Sequence, residues 1–186
     1  MSYLIETPRL GLRHFHMDDV QDFFVLGSDP EVIRYAQESP FADMAEASRV
    51  LREAPLADYE KYGYGRLAVV LKQSGELIGF CGMKYIQELG RNELGYRYKR
   101  AFWGKGLGSE AGLATLEYAC AELGMDEAIA LILPANIGSV RVAEKLGMHR
   151  IEQIEIFGLR PWLYHTPLPA HPGPGRTGVE ETAAVQ

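Results

Sequence analysis

One glycine-rich stretch decides how this chain is read: Trp103-Gly104-Lys105-Gly106-Leu107-Gly108-Ser109. Glycine stands at alternate positions there, and glycine allows positive φ and the close approach of a ligand to the backbone. A long amphipathic segment follows at once, and it predicts a helix that begins near Gly108 or Ser109. Such a helix starts with unpaired N–H groups and with the positive end of its dipole. The stretch therefore predicts a phosphate site.

The flanking segments complete this unit. Downstream, apolar residues recur at three- and four-residue spacing, as a helix requires: Leu113, Leu116, Cys120 and Leu123. Gly124 then supplies the C-terminal stop. Upstream, residues 93–98 are rich in aromatic side chains, which is typical of a strand. The predicted order is strand, glycine turn, helix.

The glycines by themselves do not choose the ligand. A Walker A loop needs a glycine where Lys99 stands, and it needs Ser or Thr where Gly106 stands. A Rossmann fingerprint would need glycine at Ser109. A purely structural tight turn stays open at this point.

Two further motifs narrow the choice. They are Glu93-Leu94-Gly95-Tyr96, and Asn136-x-x-Ser139 leading to Glu144-Lys145-Leu146-Gly147-Met148. Together with the glycine stretch they resemble the GNAT superfamily of N-acetyltransferases, and in particular its Rim-type branch of ribosomal-protein N-terminal acetyltransferases. The resemblance covers residues 4–164. Trp103 stands where the superfamily often has Gln or Arg, and we interpret it as a mark of that branch.

The resemblance implies a single-domain α/β (α+β) fold. Its central sheet would be mixed and mostly antiparallel, splayed at the cofactor site and flanked by helices. The N-acetyltransferase domain would span residues 1–166. Residues 167–186 are dominated by Pro, Gly and small polar residues, and they are predicted to form a disordered tail.

The resemblance also implies acetyl-CoA as the acetyl donor, direct transfer to an amine, and no metal. The pantetheine arm would pair with the backbone of Tyr96, Arg97 and Tyr98 like an added strand. The diphosphate would lie on the N–H groups of residues 105–109. The complete implied set for acetyl-CoA is Tyr96, Arg97, Tyr98, Trp103, Gly104, Lys105, Gly106, Leu107, Gly108, Ser109, Asn136 and Lys145.

Two residues are the catalytic candidates. Glu93 would act as the general base that deprotonates the amine, and Ser139 would protonate the departing thiolate. Other interpretations stay open for both. Glu93 could be a solvated carboxylate or could pair with Arg97, and Ser139 could be an ordinary first-turn serine after an Asn136 N-cap.

The whole chain sets limits on function. Its 186 residues are enough for one domain with a sizeable core, and its formal charge of −6 argues against a nucleic-acid binder. No membrane-length apolar stretch or signal peptide is visible, so we expect a cytoplasmic protein. Cys81 and Cys120 are expected to be buried free thiols, and the five histidines lack metal-ligand spacing.

The region between the first long strands carries three predictions. Asp18, three residues before Gln21, predicts a helix N-cap. Pro55 predicts a kink or the end of a helix, after which residues 59–65 predict a punctuated aromatic loop. By the resemblance, the aromatic candidates for the acceptor pocket are Tyr35, Phe41, Tyr62 and Tyr64.

The amine acceptor remains open at this level. The Rim-type likeness favours an N-terminal α-amino group of a peptide or protein, with a small amine as the alternative. A non-catalytic CoA-binding regulatory protein is a second reading, and a kinase is a third that lacks a proper phosphate loop. Residues 157–164 could pair with a second copy in a homodimer or could line the pocket.

Overall fold

A mixed β-sheet forms the centre of the computed structural model, which describes residues 2–36 and 39–169. In those ranges its strands are β1 (Ile5–Glu6), β2 (Leu10–Arg13), β3 (Arg66–Leu71), β4 (Glu76–Ile86), β5 (Arg91–Tyr98), β6 (Glu127–Ile132), β7 (His149–Gln153) and β8 (Trp162–Pro167). The helices are α1 (Val20–Ser28), α2 (Pro30–Ile33), α3 (Met44–Leu51), α4 (Ala57–Tyr62), α5 (Leu107–Ala121) and α6 (Ile137–Lys145).

The sheet is open and mostly antiparallel. Its order is β1-β2-β3-β4-β5-β6-β8-β7, and β5 with β6 is the parallel neighbour pair. These two strands are joined at a single residue pair, Glu93 with Ile129. The backbone of β5 after Glu93 is therefore paired with β4 on one side and with no described strand on the other. The predicted fold class is confirmed.

The two faces of the sheet carry separate apolar clusters. One cluster joins α5 to residues such as Val69, Met83 and Leu94. The other joins α1 and α3 to Ala68 and Leu77. Because successive strand residues point to opposite faces, Tyr96 and Tyr98 share the α5 face with Leu94, whereas Glu93 and Arg97 point to the other face. The donor and acceptor candidates are thus divided by the sheet.

The predicted aromatic loop at 59–65 is wrong for its first half. After α3 the chain makes a π-helical turn at Arg52–Leu56, which contains Pro55, and continues directly into α4. A π turn accommodates a proline because the missing N–H and the ring clash are absorbed by the wider turn. The helix ends only at Gly63, which has φ +79°.

The predicted cap at Asp18 is also wrong. Residues Met17–Asp19 form a 3₁₀ turn, and the buried carboxylate in it belongs to Asp19, the residue after Asp18. It accepts the His16 N–H at 2.8 Å and both terminal nitrogens of Arg13 at 2.7 Å. Burial opposes ionisation, but these hydrogen bonds outweigh it and lower the pKa of Asp19.

The C-terminal part of the described chain is well packed. Strand β8 ends at Pro167, the Leu168 side chain is buried, and the Leu168 N–H donates to the Asp126 carbonyl at 2.7 Å. Residues 170–186 of the predicted tail lie outside the described residues.

None of the helices in the described part of the chain is both long enough and apolar enough to cross a bilayer.

Candidate active site

The N-terminus of helix α5 directly follows the glycine turn and is open. Helix α5 begins at Leu107 with Gly106 as its N-cap, and no side chain in the described part of the chain accepts from its first N–H groups. Gly104 and Gly106 have φ of +72° and +75°, a backbone region that disfavours residues with a Cβ. The free N–H groups and the helix dipole together suit an anion such as a diphosphate.

Gly108 differs from these two glycines because a side chain would fit there. It lies inside the first turn of α5, and a Cβ added there would lie 3.5 Å from the Tyr98 ring and 3.7 Å from Val142, which are ordinary contact distances. One turn later, a Cβ on Gly112 would lie 2.8 Å from Leu146. Gly112 therefore lets α5 pack closely against α6.

Arg9 joins the turn from the other end of the domain. Its Nε lies 2.6 Å from Glu110 Oε2 and its Nη1 donates to the Lys105 carbonyl at 2.9 Å. The Thr7 hydroxyl and the Arg9 N–H also donate to Glu110. Burial acts to raise the pKa of Glu110, but these hydrogen bonds outweigh burial, so the pKa is lowered overall. Sequence reasoning missed this cation, because an exposed arginine beside a proline gives no signal.

The two remaining side chains of the turn are held at its edge. Trp103 is half exposed, and its indole Nε1 donates to the Tyr98 carbonyl at 2.7 Å. The Lys105 ammonium lies 5.2 Å from the centre of the Phe102 ring. The indole thus ties the turn to the end of β5.

Tyr96 joins β5 to α6. Its hydroxyl donates to the Ser139 carbonyl at 3.1 Å, and burial raises the pKa of Tyr96 so that the phenol stays protonated. Asn136 caps α6 by accepting the Ser139 N–H at 3.2 Å, as predicted. Lys145 is exposed in the last turn of α6, about 9 Å along the axis from Ser139.

Glu93 lies on the opposite face and is ion-paired. Its Oε2 lies 2.6 Å from Nη2 of Arg66, and both side chains are largely buried. The pairing considered from the sequence was with Arg97, and the structure forms it with Arg66 instead. The overlooked signal was Gly95, because a glycine inside a strand marks a close approach.

A cavity of about 590 Å³ opens in front of this pair. Arg66, Glu93 and Leu131 form part of its wall, together with Tyr35 and Tyr62, two of the predicted pocket aromatics. Phe41 instead packs against Phe23, and the Tyr64 hydroxyl donates to Asn92 at 2.6 Å.

Charged side chains of both signs line this cavity. The carboxylates among the described lining residues are Glu53, Asp58, Glu88 and Glu93, and the cations are Lys61, Arg66 and Lys84. Burial raises the pKa of Asp58, while the positive charges of Lys84, Arg66 and Lys61 oppose that rise. The cavity is therefore polar and close to electrically balanced.

The cysteines stand apart from this chemistry. Both are free and buried, as predicted. Burial raises the pKa of the Cys81 thiol to about 11, and its nearest polar contact is the Thr115 hydroxyl at 3.5 Å. A thiol that is protonated and enclosed in this way is a poor nucleophile.

An open helix N-terminus beside two separating strands, with a cavity of mixed charge on the far face, suits a protein that binds a ligand with a diphosphate group. The chain belongs to the acetyltransferase (GNAT) domain family, whose model matches residues 9–149. It is therefore an N-acetyltransferase that takes acetyl-CoA as its acetyl donor. The narrower likeness to the Rim-type branch stays a prediction.

Known proteins agree with this assignment. The N-acetyltransferase p20 of Bacillus licheniformis is 33% identical over 146 residues, which cover 77% of this chain and 81% of that protein. A GNAT-family acetyltransferase from Bacillus anthracis is 28% identical with a TM-score of 0.72, over 87% of this chain and 95% of that one.

A more distant structure shares the fold alone. The spermidine N-acetyltransferase from Vibrio cholerae, solved with CoA and spermine, is 18% identical with a TM-score of 0.73, over 87% of this chain and 97% of that one.

Proposed function

We propose that this N-acetyltransferase acetylates the N-terminal α-amino group of a peptide or protein, as the Rim-type likeness predicts. The observation that carries the proposal is the place of Glu93. It forms part of the cavity wall, and it is also the residue at which β5 and β6 meet. An amine in the cavity and a thioester held along β5 beyond this point would come together at Glu93.

The residues divide between two tasks. The donor would be held by the backbone of residues 96–98, by the N–H groups of residues 105–109, and by Trp103, Gly104 and Asn136 around them. Lys145 would lie toward the adenosine end, because it is at the far end of α6 from Ser139. The structure supports this division by joining Tyr98 to the glycine turn and Tyr96 to α6.

The acceptor nitrogen loses two protons in the reaction, and the sulfur gains one. The amine arrives protonated, and Glu93 would accept the first proton directly or through a water before nitrogen attacks the thioester carbon. Collapse of the tetrahedral intermediate breaks the carbon–sulfur bond. Ser139 would deliver a proton to the departing thiolate from the first turn of α6, and its hydroxyl would be restored by the second proton that leaves the nitrogen as the amide forms.

The charge of the cavity favours a singly charged acceptor. A polycation would meet Lys61, Arg66 and Lys84 as well as the carboxylates. A peptide N-terminus brings one positive charge and several neutral amide groups, which suits a polar and balanced wall. The side chains Tyr35, Tyr62 and Phe157 offer apolar surface for the first residues of such a peptide.

The test is acetyl-CoA-dependent thiol release with N-terminal peptides and with small mono- and polyamines. We expect release with peptides, and a loss of about 100-fold or more in kcat for Glu93→Gln. Glu117→Gln, which changes an exposed carboxylate on α5, is the control and should keep full activity.

Two results would contradict the proposal. Thiol release with small amines alone would show that the acceptor is a small amine and not a peptide, and would not change the family or the proposed donor site. Full activity of Glu93→Gln would remove the base from its assigned role.

A further inference from the structure

Arg66 crosses the sheet along a row of glycines. The register aligns Arg66 of β3 with Gly82 of β4, and Gly82 with Gly95 of β5. A Cβ added to Gly95 would lie 1.3 Å from Nη1 of Arg66. The guanidinium therefore rests directly on the bare backbone of β5, in space that any other residue at position 95 would fill.

The end of this path is the Glu93 carboxylate. The Arg66 Nη2 to Glu93 Oε2 distance is 2.6 Å, and the two side chains are 16% and 14% exposed. Phe80 supports the guanidinium from the side, with its ring centre 5.8 Å from Arg66 Cζ. Among the described residues no hydrogen bond to Glu93 Oε1 is formed, and Glu93 forms part of the cavity wall.

We propose that Arg66 is a positioning residue for the general base, and that Gly95 is required so that Arg66 can reach it. The inference rests on the proposed function, in which Glu93 Oε1 accepts the proton of the acceptor amine. Arg66 holds Oε2 and keeps its own protons throughout. A planar guanidinium can fix the orientation of a carboxylate, which a single ammonium does less well.

Misplacement of a reacting group by about 1 Å can lower a rate by about 100-fold. A Glu93 side chain released by Arg66 would have several rotamers, and few of them would direct Oε1 into the cavity. Other charged groups also lie near this carboxylate, but Arg66 is the one cation among the described residues that forms an ion pair with it. Lys84 is its cross-strand partner, Arg97 Cζ lies 5.4 Å from the centre of the Phe80 ring, and Asp58 and Lys61 line the cavity from α4.

The experiment is a double-mutant cycle on purified, full-length protein. Arg66→Gln and Arg66→Lys are each made with Glu93 intact and with Glu93→Gln, and kcat and KM are measured with a peptide or amine from the panel. We expect Arg66→Gln to lower kcat by about 10- to 100-fold while the KM for acetyl-CoA stays the same. In the Glu93→Gln background the same change should lower kcat by less than about 2-fold.

Two further measurements separate positioning from general stability. Arg66→Lys should recover part of the lost kcat. Gly95→Ala should resemble Arg66→Gln if it folds, and thermal unfolding shows whether it does.

The matched control breaks another ion pair of the same strand. Arg91 pairs with Glu127 at 2.7 Å at the start of β5, and Arg91→Gln should leave kcat unchanged. An equal loss for Arg66→Gln in both backgrounds, or no loss in either, overturns the inference while the proposed function stands. If Glu93→Gln alone is fully active, the assigned base fails and this inference fails with it.

Discussion

The Arg9 variant gives the sharpest test of the donor site. In Arg9→Gln, the carboxylate of Glu110 loses its cation, although the Thr7 hydroxyl still donates to it at 2.6 Å. Glu110 lies in the first turn of α5, beside the free N–H groups. The substitution therefore removes one positive charge from the predicted diphosphate site and unmasks one negative charge.

The expected effect is on binding more than on folding. Arg9 is 47% exposed, so the pair contributes at most about 1 kcal/mol to the free energy of unfolding. A side-chain charge about 4 Å from a bound anion changes its binding by about 1 kcal/mol in water. Two such changes add to about 2 kcal/mol, which is a loss of about 30-fold in acetyl-CoA affinity at low ionic strength.

Isothermal titration calorimetry with acetyl-CoA at low salt and at about 1 M salt separates the electrostatic part of the affinity loss from the remainder, because the screening length falls to about 3 Å at high salt. The loss should shrink at high salt, and Arg9→Gln/Glu110→Gln should recover about half of it in free energy. Affinity within 2-fold of wild type at low salt would refute the reasoning. If the double variant binds acetyl-CoA as weakly as Arg9→Gln does, the charge of Glu110 does not contribute to the loss of affinity.

Three other predictions follow from single side chains. Gly106→Ala forces a φ of +75° on an L-residue and should lower both acetyl-CoA affinity and the free energy of unfolding, the latter by about 1–2 kcal/mol. Gly108→Ala should keep the acetyl-CoA affinity and raise the free energy of unfolding by up to about 1 kcal/mol. Equal losses for the two variants in calorimetry and in urea unfolding would contradict this. Asp19→Asn breaks a buried ion pair and should lower the free energy of unfolding by about 3 kcal/mol, against less than about 0.5 kcal/mol for the exposed neighbour in Asp18→Asn; similar urea midpoints would rule this out. Folding raises the pKa of the Cys81 thiol from 9.0 to about 11, so between these pH values the unfolded state alone releases the proton. As the pH rises through this range, the free energy of unfolding of wild type should fall by about 2–3 kcal/mol more than that of Cys81→Ala. Equal pH dependences of unfolding for the two proteins would contradict this.

The elements that were predictable from the sequence depend on groups only a few residues apart. The positive φ of Gly106 and the start of α5 follow from the local chain, and Asn136 caps α6 through an N–H three residues away. The aromatic content of residues 93–98 likewise indicated β5, and apolar spacing indicated α5. The donor half of the candidate site could therefore be predicted before any tertiary contact was known.

The pairing of charges could not be predicted in this way. Asp18 and Asp19 look equally suited to cap a helix, and the partner that selects Asp19 is Arg13, which extends from β2. Pro55 predicted a kink or an end of the helix, and the structure has a π turn there that leads directly into α4.

The sequence by itself determined the glycine turn and the start of α5, because local backbone preferences fix those features, and its three motifs indicated the family and predicted the residues for the acetyl donor. Only the tertiary structure decided which cations reach which carboxylates. Arg9 and Glu110 are 101 residues apart, and Arg66 and Glu93 are 27 apart. Strand order and register bring each pair together, and in the second pair two aligned glycines leave the room in which the guanidinium lies.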